Sequence, residues 1–437
     1  MRVGVLIHEF GRSGGAQTVL RYARALEDAE LLVTAPRARD LPAEVDGVPV
    51  RHVSEAGGRR YDCAIATWWT TAESLWEVEA DRRLVFLQSI EQRFYEEHHW
   101  YERFAAEEVL ALPVGYVVVA PWMRDLLAEL RPDAPCVVVR NGIDKEMFRP
   151  RGGGGDRADG PLRVLVEGQP TMWFKGVRES LAAVRAMREP VEATLVAGDP
   201  DSAGGVDGVR VVGGLDPAGM AEVYAAHDVV LKLSRVESLG LGPIEGFHVG
   251  LPAVVTPYTG HEEYLDHDRN GLVVGFDDVP GTARALDSLA ADRGRLRRLA
   301  EGALATAASW PAADAAASAF EDAIRELCGG PPPDADGALT QLQRAQRRWL
   351  ELSREHARQE LTVAEGLRGS VRWYEHALAE AAEHHRELDR QRHEVSERAS
   401  VFEAELARRT EQLEELKATR AYRAAAALRR LKPGRDA

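Results

Sequence analysis

Short apolar runs recur along the first three quarters of the chain, each closed by glycine or polar residues: Val3 to His8, Leu31 to Thr34, Cys63 to Thr67, Leu84 to Leu87, Tyr116 to Val119 and Cys136 to Val139. A second series follows: Leu162 to Val166, Ala193 to Ala197, Val229 to Leu233, Leu251 to Thr256, and the Asn270-Gly271 turn into Leu272-Val273-Val274. Near-continuous apolarity over so few residues predicts strands of a parallel sheet buried on both faces. Between the runs the period changes. Ala16 to Glu27 places Val19, Leu20, Ala23 and Leu26 on one helical face, another helix starts at Val177, and Asp216 to Ala226 forms a third. A strand, the glycine loop Gly11 to Gly15 and a helix open the chain as a doubly wound α/β domain opens. The spacing is not Gly-x-Gly-x-x-Gly, so it indicates no dinucleotide site.

Two interruptions divide this pattern. Asn141-Gly142 is a turn, Asp144 can cap the turn after it, and Arg151 to Asp156 is a glycine-rich linker. Gly329-Gly330-Pro331-Pro332-Pro333 ends the alternation. From residue 337 the chain is rich in Ala, Glu, Leu, Arg and Gln, with Leu388, Val395, Ala399, Phe402, Leu406, Leu413 and Leu416 spaced by alternating threes and fours. That seam, interrupted by Arg392 and Arg409, predicts a coiled coil or helical hairpin and hence a homo-oligomer. The end, from Lys417 to Arg435, is basic and has no acid; it can rest on an anionic membrane or remain a solvated tail.

Composition narrows the function classes. The 437 residues are 45% hydrophobic and 29% charged, and the net charge of -15 argues against nucleic-acid binding, which needs a basic face. Cys63, Cys136 and Cys328 lie far apart, reading as thiols of a reducing compartment and not as disulfides or a metal site. With no signal-peptide pattern and no apolar run of spanning length, a cytoplasmic protein is expected, peripheral to the inner face of the membrane if the tail binds there.

The chemistry concentrates after the run Val229 to Leu233. Glu237 falls on the loop leaving that strand and Glu245 in the first turn of a helix that Pro243 is placed to begin, with Gly240 and Gly242 allowing close approach of backbone. In open α/β sheets such a loop binds ligands, and a helix start favours an anion such as phosphate. Either Glu alone is equally explained as a helix cap. The loop Gly260-His261-Glu262-Glu263 follows on the next strand.

The run from Ser234 to Val274 resembles the donor-site signature of retaining glycosyltransferases of family four: two Glu separated by seven residues, Gly-x-x-Glu, then Asn-Gly-Leu. Val139 to Pro150 resembles the hinge signature of the same family. The resemblance covers residues 1 to about 328 and implies an α/β GT-B fold, with two Rossmann-like lobes facing a cleft. Residues 1–150 would form the acceptor lobe, 151–160 a linker, 161–328 the donor lobe, 329–336 a second linker and 337–437 the coiled coil. The last donor-lobe helix, 311–327, kinked at Pro311, would return to the first lobe.

Residue roles follow from the resemblance. Lys175 and the backbone N–H groups of Ser238, Leu239, Gly240 and Leu241 would stabilise the leaving diphosphate without a metal or cofactor. Glu237 would hold the donor sugar and its positive centre, Glu245 the nucleotide ribose, and Glu263 would belong to the same donor site. Gly14 and Gly15 would face the cleft and approach the donor phosphates and the acceptor. Gln169 stands where the family has Arg, a departure that removes one of two cations expected on the diphosphate. The loop Gln88 to Tyr95 is similar to a Gln-x-x-Glu loop of bacterial rhamnosyltransferases, and with Trp68 and Trp69 it would line the cleft. The resulting expectation is sugar transfer, with retention, from a nucleotide sugar to a glycan or lipid-linked acceptor in cell-surface polysaccharide synthesis. The alternatives are a non-catalytic nucleotide-sugar-binding scaffold and a nucleotide-sugar epimerase.

Overall fold

The computed structural model describes residues 1–8, 10, 14–35, 41–150, 160–201, 208–331 and 335–418. The first unit, Met1–Glu351, contains two parallel sheets. The first is built from β1 (Arg2–Ile7), β2 (Asp28–Val33), β3 (Glu44–Val45), β4 (Val48–His52), β5 (Arg60–Ala66), β6 (Glu79–Leu87), β7 (Gly115–Val118) and β8 (Cys136–Val138), in the order β3-β4-β2-β1-β5-β6-β7-β8. Only the β3–β4 pair is antiparallel. The second contains β9 (Leu162–Glu167), β10 (Val191–Ala197), β11 (Val209–Gly213), β12 (Val229–Lys232), β13 (Ala253–Val255) and β14 (Gly271–Val273), in the order β11-β10-β9-β12-β13-β14.

Helices cover both sheets. They are α1 (Gly14–Ala25), α2 (Trp69–Glu73), α3 (Trp100–Glu108), α4 (Pro121–Leu130), α5 (Val177–Arg185), α6 (Pro217–Ala225), α7 (Leu241–Val249), α8 (Val279–Ala291), α9 (Arg293–Ser309), α10 (Ala313–Gly329) and α11 (Ala335–Ala418). Aspartates start three of them: Asp216, Asp278 and Asp292 each accept the backbone N–H three residues on, at 2.7–2.8 Å. The central strands are apolar on both faces because both faces are covered. Val3, Leu31 and Ile65 in the first sheet, and Val164, Leu195 and Leu231 in the second, are fully buried.

Three features depart from the sequence pattern. The β3–β4 hairpin and β11 lie at the margins of their sheets and are only partly buried, so Pro49, Arg51 and Arg210 interrupt what would otherwise be apolar runs. Helix α7 starts at Leu241, not Pro243, because Gly240 adopts φ +80° and turns the chain into the helix two residues sooner. Pro243 is then the third helical residue, still where its missing N–H leaves no bond unmade. Glu245 consequently falls at the start of the second turn and not in the first.

The chain breaks at Trp310-Pro311 and α10 then packs on the first sheet. Phe320 stacks on Tyr22 with ring centres 4.7 Å apart and meets Phe86 edge-on at 5.0 Å. Trp310 donates from Nε1 to the Asn141 carbonyl at 2.9 Å, and Ile143 bridges to Ala312. Asp144 accepts the N–H groups of Glu146 and Met147. Linker residues 151–159 lie outside the described residues.

Leu352–Ala437 form a second unit, whose described part is helical. On it Leu388, Val395, Phe402, Leu406 and Leu413 are exposed, with Arg392 and Arg409 also in water. The Leu416 side chain and the basic stretch Arg420 to Arg435 lie outside the described residues. Among the described residues no helix is long and apolar enough to cross a membrane.

Candidate functional site

In the second sheet the strand order reverses between β9 and β12, which lie side by side although β10 and β11 separate them in sequence. The loops leaving their carboxyl ends therefore diverge and open a crevice, the place where ligands bind in such sheets. The β9 loop delivers Lys175 and the β12 loop delivers Glu237. Lys175 Nζ lies 2.9 Å from Glu237 Oε1, and Ser234 Oγ donates to the same oxygen at 2.9 Å. Gly176 makes this approach feasible. It sits at φ +61°, and a Cβ there would lie 1.9 Å from the Leu233 carbonyl oxygen.

A second lysine lies beneath the pair. Lys232, the last residue of β12, is 3% exposed and places Nζ 3.3 Å from Glu237 Oε1 and 3.4 Å from Glu167 Oε2. Burial alone would raise the Glu237 carboxyl; the charges of Lys175 and Lys232 reverse this and hold it at about 2. The carboxylates Glu167 and Glu237 in turn hold Lys232 above the usual lysine range against the effect of its burial.

Glu245 is in the opposite state. Burial, with the Glu167 charge beside it, pushes its carboxyl up to about 8. The same two carboxylates face the buried Tyr224. Gly242 lies against Glu167, and a Cβ there would fall 1.7 Å from Glu167 Oε2.

The remaining predicted residues are distributed around this centre. The Ser238 carbonyl accepts the Nε1–H of Trp122 in α4 at 2.8 Å, while its own hydroxyl is buried without a partner among the described residues. Leu239 is buried, Gly240 packs on Tyr258, and Leu241 opens α7 opposite Gly14, a Cβ on which would meet Leu241 Cδ1 at 3.5 Å. Gly15 faces Gln88. Two predicted residues are engaged elsewhere. Glu263 pairs with Arg140 at 2.7 Å. Gln169 is tied to the backbone of Asp199, accepting its N–H at 3.0 Å and donating to its carbonyl at 3.3 Å.

The aromatic loops that follow β5 and β6 meet the loop that follows β9. Phe94 stacks on Trp68 and, at 4.8 Å, on Phe174, and Trp173 donates to the Phe94 carbonyl. Glu91 of the Gln-x-x-Glu loop turns inward, accepts the Trp69 N–H at 2.7 Å, and is pushed by burial to about 8. Sequence reading missed Lys232, Glu167 and Ser234. Lys232 was visible as a lone lysine inside an apolar strand run, the placement in which a buried partner is required.

Residues 162–292 match the profile of the family described as Glycosyl transferases group 1. Over 233 residues the chain is 30% identical to a D-inositol 3-phosphate glycosyltransferase of Nocardia farcinica, covering 46% of this chain and 51% of that protein. It is 38% identical over 77 residues to the lipopolysaccharide core biosynthesis glycosyltransferase LpsE of Rhizobium meliloti, covering 18% of this chain and 23% of that one. The chain thus spans at most about half the length of these curated relatives. Among solved structures it is similar to a sucrose-phosphate synthase from Thermosynechococcus elongatus, with a TM-score of 0.63 and 17% identity over 75% of this chain and 100% of that one. HepE of Anabaena in complex with UDP-glucose aligns with a TM-score of 0.62, 17% identity and the same coverage. These likenesses show the fold, an α/β GT-B arrangement of parallel sheets.

Proposed function

We propose that the protein is a retaining, metal-independent glycosyltransferase that moves a sugar from a nucleotide-sugar donor to a glycan or lipid-linked glycan acceptor in cell-surface polysaccharide synthesis. The observation that carries this reading is the Lys175–Glu237 pair at the reversal point of the second sheet, inside the stretch that matches the glycosyltransferase profile. Lys175, 23% exposed on its side chain, is the cation offered to a donor diphosphate. The free N–H groups at the start of α7 add fixed positive potential beside it. Charge building on the leaving diphosphate meets these groups, while Glu237 faces the sugar carbon as it turns positive. Glu245 binds the nucleotide ribose, and Gly14 and Gly15 approach the donor phosphates and the acceptor. Closed lobes exclude water, so that the acceptor hydroxyl attacks.

One observation favours a second reading, the non-catalytic sugar-nucleotide scaffold. Gln169 occupies the place of a diphosphate-gripping Arg and is already committed to Asp199. Incubation with UDP-, GDP- and ADP-sugars, alone and with acceptor glycans, separates the readings. Transfer with the donor's anomeric configuration kept supports the transferase. An epimerised donor supports the epimerase, and binding in calorimetry without turnover supports the scaffold.

A further inference from the structure

Glu237 Oε1 gathers three donors, and they differ in what they can do next. Lys175 reaches it from a loop and is partly open to solvent. Ser234 Oγ is a neutral donor. Lys232 reaches it from inside the sheet, on a strand residue aligned with Val255 of β13, and is almost completely buried. Together Lys175, Lys232, Glu237 and Glu167 form a cluster with two positive and two negative charges. A diphosphate entering the crevice adds negative charge on the solvent side, where only Lys175 of the two lysines can meet it.

We propose that Lys232 is a positioning residue that keeps Glu237 ionised and oriented when Lys175 leaves it for the donor diphosphate. This rests on the donor-site reading above and deepens it. The Lys175–Glu237 ion pair is then a resting arrangement, from which one cation is released to the ligand and the other stays. Without Lys232, Glu237 would be left in a buried place beside the Glu167 carboxylate with only a serine hydroxyl to hold it. It would take up a proton, and a neutral carboxyl does not stabilise a positive sugar carbon.

The test uses the full chain, with Lys232→Met and the double variant Glu167→Gln/Lys232→Met, which removes both buried partners and leaves no lone carboxylate. Calorimetry with UDP, GDP and ADP reads affinity; kcat across pH 5–9 is read with the donor sugar of whichever nucleotide the wild type binds. The expected result for the double variant is a nucleotide affinity within about threefold of wild type, and a kcat at least about tenfold lower at neutral pH. Within that range the double variant should show kcat rising with pH, where wild-type Glu237 stays ionised throughout. Lys232→Arg, which keeps the cation, abolishes that rise. A double variant with wild-type kcat and no such rise overturns the proposal. So does a loss of affinity as large as the loss of kcat, which would place Lys232 on the diphosphate itself. A wild type that binds none of the three nucleotides overturns the donor-site reading and this inference with it.

Discussion

Three buried or half-buried carboxyl groups of the first unit are moved in opposite directions from the ordinary carboxylate value, and each carries its own expectation. Glu237, held at about 2 by two lysines, is ionised at any working pH. Glu237→Gln should therefore cut kcat on the order of a hundredfold, while nucleotide affinity measured by calorimetry changes little. Equal losses in both would reduce Glu237 to a binding group. Glu245→Ala should lower nucleotide affinity by about 1–2 kcal/mol if the ribose is its partner, and unchanged affinity would leave it a packing role. Glu91 bears on stability. Its folded value of about 8 lies above the ordinary carboxylate value, so the folded protein binds a proton that the unfolded chain has lost. Stability contributed by this group is full at pH below about 4 and declines as pH rises toward 8. Glu91→Gln keeps the acceptor for the Trp69 N–H and removes the ionisation. At pH 8 it should be more stable than wild type by on the order of 1–3 kcal/mol, read from denaturant melts, and at pH 5 the difference should shrink. A constant difference across pH would refute the assignment.

At the scale of elements, the site depends on where strands end and what lets their loops approach. Gly176→Ala would drive a methyl group into the Leu233 carbonyl at a left-handed residue, costing about 2–4 kcal/mol of stability and displacing Lys175. Denaturant melts and nucleotide binding should both register it. Much of this level was legible in advance. The centres of β1, β9 and β12 (Val5 to Ile7, Val164 to Val166 and Val229 to Leu231) are runs of Val, Ile and Leu, and the loops that follow β9 and β12 were already marked by Lys175-Gly176 and by Glu237. What was not legible came from pairing across distance. No local pattern shows that Lys232 and Glu167, on neighbouring strands but far apart in sequence, face one another. The start of α7 was misplaced because Pro243 is a stronger local signal than the left-handed conformation of Gly240, where a side chain would also run into Tyr258.

Over the whole molecule, the long helix α11 presents Leu388, Val395, Phe402, Leu406 and Leu413 to solvent, at the spacing a coiled coil uses. We propose that copies of the chain associate along this seam. Removing residues 352–437 should then leave a folded, nucleotide-binding unit and convert an oligomer to a monomer, as read by light scattering. The same oligomeric state in both would assign the seam to another partner. The return of α10 to the first sheet has a consequence for synthesis. Phe320, which fills the gap between Tyr22 and Phe86, leaves the ribosome only after the entire second sheet has been made. Nascent chains ordinarily complete their domains from the N-terminus onward. Here the earliest-made half waits for its final piece, and the later-made half has every strand of its own sheet before the first core can close.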